Sequence, residues 1–126
     1  MAPSVRGFLL TEAVTFIVAA LAHLGILVRG YEHTQAGVAE GVIAAVLLSG
    51  LTMTWITPRI ARQAGFGAQL FALLGTLVGV FTIAIGVGPR TVPDIAYHVG
   101  ILAVLVLGVM VAREPASAAA RPPAPT

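Results

Sequence analysis

The chain contains no cysteine, which excludes a disulfide framework, thiolate metal ligands, an iron–sulfur cluster and a cysteine nucleophile. It also lacks lysine, so its seven basic side chains are all arginine. Charged residues make up only 10% of the 126 positions, against about 25% in a soluble domain, so a water-facing surface could not be solvated. The net charge of +2 comes without an arginine run or a basic face that could follow a phosphate backbone, and no nucleic-acid partner is expected. No Gly-x-Ser-x-Gly elbow is present, Ser49 has no base at its depth, and Gly86-Val-Gly88-Pro ends an apolar run instead of following a strand.

Hydrophobic residues fill 58% of the chain and collect into long runs. Segments 8–28, 36–56, 66–87 and 92–112 are each about 21 residues, and about 20 cross a hydrocarbon core of about 30 Å. In lipid the backbone must satisfy itself, so these segments are expected to be helices. The links between them are short. Residues 29–35 carry Arg29, Glu32 and His33; 57–65 carry Pro58, Arg59 and Arg62; 88–91 form a tight turn. Short links imply antiparallel neighbours, an all-α integral-membrane four-helix bundle running up-down-up-down over residues 1–113. Thr91-Val-Pro-Asp94 reads as the start of the fourth helix, with Thr91 as cap and Asp94 near the positive dipole end. The Ala/Pro-rich segment 114–126 is expected to be disordered.

Arg6, Arg59, Arg62, Arg113 and Arg121 fall on one side of these spans, and Arg29 and Arg90 on the other. The positive-inside rule then places both termini in the cytoplasm of an inner (plasma) membrane. Arg6, the apolar run after it and Ala20-Leu-Ala22 also resemble a signal peptide, but the run continues past the would-be cut and Glu12 interrupts it. Two stripes of small residues, Gly37/Gly41/Ala45/Ser49 and Gly75/Gly79, are expected to be bundle contacts. Trp55 reads as an interfacial anchor, and no internal repeat supports an inverted-repeat transporter.

Against this apolar background Glu12, His23, Glu40, Asp94 and His98 stand out, since hydrocarbon penalises a charged side chain by roughly 2.5–3.5 kcal/mol. Counted from the expected helix ends, His23, Glu40 and His98 lie about 8, 6 and 9 Å deep, with Asp94 one turn above His98. Three helices thus deliver these four groups to one layer near the extracytoplasmic rim. Two imidazoles with two carboxylates suit a divalent transition metal such as zinc or ferrous iron, with Tyr97 or Asp94 orienting a ligand imidazole. A second form of the same reading has His23 and His98 as axial ligands of a haem, its propionates meeting Arg29 and Arg90. A third has the polar groups simply pairing to hold helices together.

Glu12 is a lone acid in the first helix, about one turn from its expected cytoplasmic end. In size, helix count and this one acid the chain resembles the small multidrug resistance exporters, which implies proton coupling through Glu12. It departs from that family in lacking aromatics around the acid, where Leu9, Leu10, Thr15 and Phe16 stand. In size and topology it also resembles the small bacterial inner-membrane proteins grouped as DoxX-like. Expectation therefore favours a small membrane protein with a metal- or haem-binding site. The alternatives are a proton-coupled transporter acting as a homo-oligomer, or a structural subunit of a larger membrane complex. An enzyme on a lipid-soluble substrate would need His23, Glu40 and His98 as acid and base groups tuned near neutrality.

Overall fold

The computed structural model describes residues 3–113 as four α-helices: α1 (Pro3–His23), α2 (Thr34–Ile56), α3 (Ala61–Ala84) and α4 (Val92–Arg113). They are 21, 23, 24 and 22 residues long. At 1.5 Å per residue that is about 32–36 Å, enough to cross a hydrocarbon core of about 30 Å. All four are also apolar enough to do so. Over the described residues the chain is all-helical, and its four apolar helices mark a multi-pass membrane protein. Segment 114–126, expected to be disordered, lies outside the described residues.

The helix ends differ from expectation where local backbone chemistry overrides the apolar run. α1 stops at His23, short of Val28, because Gly25 adopts φ 72°. Its N–H donates to Ala22 O (3.0 Å) and the Ile26 N–H to Leu21 O (3.0 Å), the double closure of a Schellman motif. Ile26, Leu27 and Val28 extend the apolar run but form part of the link. Pro58 ends α2 at Ile56 by disfavouring the helical region for Thr57. α3 then begins at Ala61, five residues before the expected start, so Arg62 and Gly65 belong to its first turns. It closes at Ala84, before Gly86 at φ 84°.

α1 packs against α2 and α4, and α3 closes the bundle against the same two helices. Leu9, Phe16, Ile43, Leu47, Ile101 and Leu105 fill the centre, while Leu10, Val14, Leu74, Phe81, Val99 and Met110 face outward. The outer faces are as apolar as the core, the arrangement that lipid requires and water would not support.

Arginines complete three helix C-termini. Arg6 donates from Nε to Thr54 Oγ1 (3.1 Å) and from Nη2 to Thr54 O (2.9 Å), with its guanidinium 5.5 Å from the Trp55 ring. Arg62 donates to Ala112 O (3.3 Å) and Arg113 O (2.6 Å) at the end of α4. Arg90 donates to Ile83 O (2.7 Å) and Ala84 O (2.6 Å) at the end of α3. Cations at these carbonyls satisfy orphan acceptors and complement the helix dipole.

The small-residue stripe expected on α2 is only partly a contact. Gly37 is buried against Leu24 and the Ala20 carbonyl, but nothing lies within 4 Å of where a Gly41 Cβ would be, and Ala45 and Ser49 are exposed. The inward face runs instead through Gly37, Glu40, Ala44, Leu47, Leu51 and Thr54. The close crossing with α3 is at Gly50, where an added Cβ would collide with Ala68 Cβ and approach Ala64 O to 3.3 Å. On α3 the stripe does face inward, Gly75 toward Ile43 and Gly79 toward His98. Gly50→Ala should therefore lower stability by about 1–3 kcal/mol, the usual range for overpacking, while Gly41→Ala should leave it within about 0.5 kcal/mol. Unfolding titrations of the two variants in mixed micelles check the contrast; equal effects would contradict this packing.

Candidate functional site

Three helices meet where α1 ends and α2 and α4 begin. His23, the last residue of α1, points both ring nitrogens at carboxylates. Nδ1 lies 2.7 Å from Glu40 Oε2 on α2, and Nε2 lies 3.1 Å from Asp94 Oδ1 on α4. All three side chains are buried, with exposures of 3%, 6% and 2%. Glu40 arrives there because it lies on the inward stripe of α2. Asp94 arrives there because it sits in the first turn of α4. Its Oδ2 accepts from the Thr91 N–H (3.0 Å) and hydroxyl, and its own N–H donates to Thr91 Oγ1 (3.3 Å). Asp94 therefore caps α4 with one oxygen and holds His23 with the other.

The link between α1 and α2 roofs this triad. The Tyr31 ring stacks on His23 with centroids 5.6 Å apart and planes at 12°, and its hydroxyl meets Thr91 Oγ1. Burial first, and then the Asp94 carboxylate nearby, hold the Tyr31 phenol above the ordinary tyrosine range. His33 caps α2, its Nδ1 accepting the Ala36 N–H at 3.4 Å, and its ring meets the His23 ring edge-on. Glu32 is fully exposed, and the Gly30 N–H (3.0 Å) holds its carboxyl below the usual glutamate range.

His23, Glu40 and Asp94 thus come together, as their expected depths implied, but His23 lies at the tip of its helix and not 8 Å inside it. His98 takes a different direction: its Nδ1 lies 2.8 Å from Asp94 O, one turn back along α4, and its ring abuts Gly79 of α3. Tyr97 orients no imidazole by hydrogen bonding. Its ring packs edge-on against Phe16 and His98, and its buried hydroxyl has no partner among the described residues. Arg90 is committed to the end of α3, and Arg29 is exposed.

This geometry does not fit a metal or a haem. Coordination needs an imidazole lone pair aimed at the ion, and both nitrogens of His23 face carboxylate oxygens. Among the described residues no group of three or more His, Asp or Glu side chains is arranged to hold a metal ion. What the triad can hold is a proton. A neutral imidazole has one N–H, whereas two imidazole–carboxylate contacts require two hydrogens. The second is bound by the group as a whole, on the ring or on a carboxyl.

A third buried carboxylate lies deeper. Glu12, fully buried, is about 14 Å from the start of α1, because that helix begins at Pro3 and not at Phe8. Gln69 of α3 donates from Nε2 to both of its oxygens, at 3.1 and 3.3 Å. Gly108 of α4 leaves the space the pair occupies, and Gln69 Oε1 is buried without a partner among the described residues. Gln69 and Tyr31 escape a reading of charged residues alone. The one available signal for Gln69 is an amide between Ala68 and Leu70 in an apolar run.

Compared with protein-family models, curated proteins and solved structures, the chain matches none. Fold and site together define a four-span membrane protein with a buried carboxylate–imidazole–carboxylate chain.

The triad's contribution to stability is open to measurement. His23→Ala strands two buried carboxylates and should cost about 3–5 kcal/mol in detergent unfolding. Adding Glu40→Gln and Asp94→Asn to that variant should return most of the loss. A single variant less than about 1 kcal/mol below wild type would mean the contacts are not buried ion pairs.

Proposed function

We propose that this chain is a small proton-coupled transporter of an inner (plasma) membrane, working as a homo-oligomer, with its helices up-down-up-down and both termini cytoplasmic. The observation that carries the reading is His23 clamped between Glu40 and Asp94, a proton-holding chain drawn from three helices inside an apolar bundle. Ionisable groups at such places mark proton and substrate pathways. The hydrogen-bonded chain continues from Asp94 through Thr91 to Tyr31 at the roof. A proton entering from that edge has a continuous route to Glu40. The imidazole passes it on by releasing a hydrogen from one nitrogen as it accepts one at the other. Glu12 with Gln69 supplies a third buried acid, on the α1–α3 side of the bundle.

Sidedness rests on arginine: Arg6, Arg59, Arg62 and Arg113 against Arg29 and Arg90. The oligomer reading is supported by the outward stripe of Gly41, Ala45 and Ser49, which leaves α2 room for close approach of another helix. The same stripe would serve a structural subunit of a larger membrane complex, which predicts no proton movement.

Reconstituted into liposomes with an entrapped pH dye and an imposed potential, the wild type should acidify the lumen. Glu40→Gln and Asp94→Asn should slow this by about a hundredfold, as loss of a positioned proton carrier does; Glu12→Gln tests the deeper acid separately. Unchanged flux in all three variants would remove the proton reading. A stoichiometric metal or a Soret band in purified protein would restore the metal or haem reading.

A further inference from the structure

The transport reading leaves one feature of the bundle unused. Between α2, α3 and α4 lies a cavity of about 160 Å³, with a mostly apolar wall that includes Phe16, Ile43 and Ile83. That is close to the volume of about 150 Å³ that takes up a benzene-sized guest in a protein interior. Glu40 and His98 both stand in this wall.

Four polar side chains of the wall, Glu40, Thr76, Thr82 and His98, share one property: none has a hydrogen left to offer. Glu40 spends Oε2 on His23, and its Oε1 makes no hydrogen bond among the described residues. His98 faces Asp94 O with Nδ1 at 2.8 Å. A carbonyl can only accept, so Nδ1 carries the hydrogen, and Nε2 of the neutral ring is left as an acceptor. Gly79 makes room for that nitrogen, since a Cβ there would stand 3.1 Å from it. Thr76 and Thr82, also in the wall, donate their hydroxyl hydrogens to Ala72 O (2.8 Å) and Gly79 O (2.7 Å). Only lone pairs remain on these four side chains. The donors of the wall, His33 and Gln35, belong to the cap and first turn of α2.

An apolar chamber whose inner polar groups only accept is matched by a guest that brings a donor. We propose that this cavity binds a benzene-sized apolar molecule carrying one hydrogen-bond donor head, an amine or a phenol, with the head between Glu40 Oε1 and His98 Nε2. The inference names the ligand end of the site on which the transport reading rests. A guest on Glu40 would engage the carboxylate that also holds His23, linking occupancy to the proton chain.

The test is calorimetric titration of the full chain in lipid nanodiscs, with empty discs subtracted, using phenol, benzylamine and toluene as probes. No gradient is applied, so binding and transport can fail separately. At least one of phenol and benzylamine should bind about tenfold tighter than toluene, a difference of about 1.4 kcal/mol. Phenol alone would identify a neutral donor and benzylamine alone a cationic one, and either supports the proposal. His98→Phe, which keeps the ring and removes Nε2, should cut the advantage to about threefold or less. Glu40→Gln, which keeps the shape and supplies a donor, should do the same. Val99→Ala, at an exposed position outside the wall, should leave it intact. Toluene binding as tightly as both donors, no binding of any probe, or an undiminished advantage in His98→Phe would overturn the proposal.

Discussion

Inside a hydrocarbon layer no water is present to satisfy a polar group, and everything in this bundle follows from that constraint. Apolar side chains gain little by hiding, because lipid tails are as apolar as the core, so they are free to face outward as Leu74, Phe81 and Val99 do. Polar side chains need a partner: outward Ser49 and Thr52 donate to their own helix. Glu12, His23, Glu40, Gln69, Thr76 and Asp94 are all buried, and each has a hydrogen-bond partner within the protein. The interior thus holds Glu12, His23, Glu40 and Asp94, the groups that lipid penalises most. Association of the helices rests on these contacts and on close approach at Gly37 and Gly50 more than on hydrophobic burial.

The same constraint acts at the helix ends, where carbonyls and amides lack partners in the helix itself. Arg6, Arg62 and Arg90 supply donors to three ends, while Thr91 with Asp94 and His33 supply caps to two beginnings. Asp94 serves both a cap and the triad, so the start of α4 and the orientation of His23 are set by one carboxylate. Function and architecture share the same atoms here. A group that titrates at this point shifts the contacts that hold α1, α2 and α4 together.

Much of this was legible in residue order. Runs of about 20 apolar residues require helices in lipid, and all four formed, since no local signal opposes them within their centres. Their ends were less legible. Ile26, Leu27 and Val28 look like span, but Gly25 at positive φ turns the chain before them. Arg62 and Gly65 look like loop, yet α3 includes them, because only Pro58 breaks the backbone. Those shifts moved His23 to a helix tip and Glu12 toward mid-helix. The convergence of His23, Glu40 and Asp94 survived, because it depends on a shared level more than on absolute depth. The metal and haem expectations did not fit, since ligand type alone leaves open which lone pairs are free. His98 shows this: its Nδ1 is committed to Asp94 O of its own helix, and the lone pair left on Nε2 lies beside Gly79 of α3.

The central claim is that His23 lies between Glu40 and Asp94, with a hydrogen in each contact. Solid-state NMR on the ¹⁵N-histidine, ¹³C-carboxyl-labelled chain in bilayers observes this directly. The account predicts a through-space correlation from His23 Nδ1 to Glu40 Cδ and another from Nε2 to Asp94 Cγ. A His23 ring with one nitrogen bare and exchanging with solvent, correlated to neither carboxylate, would contradict it.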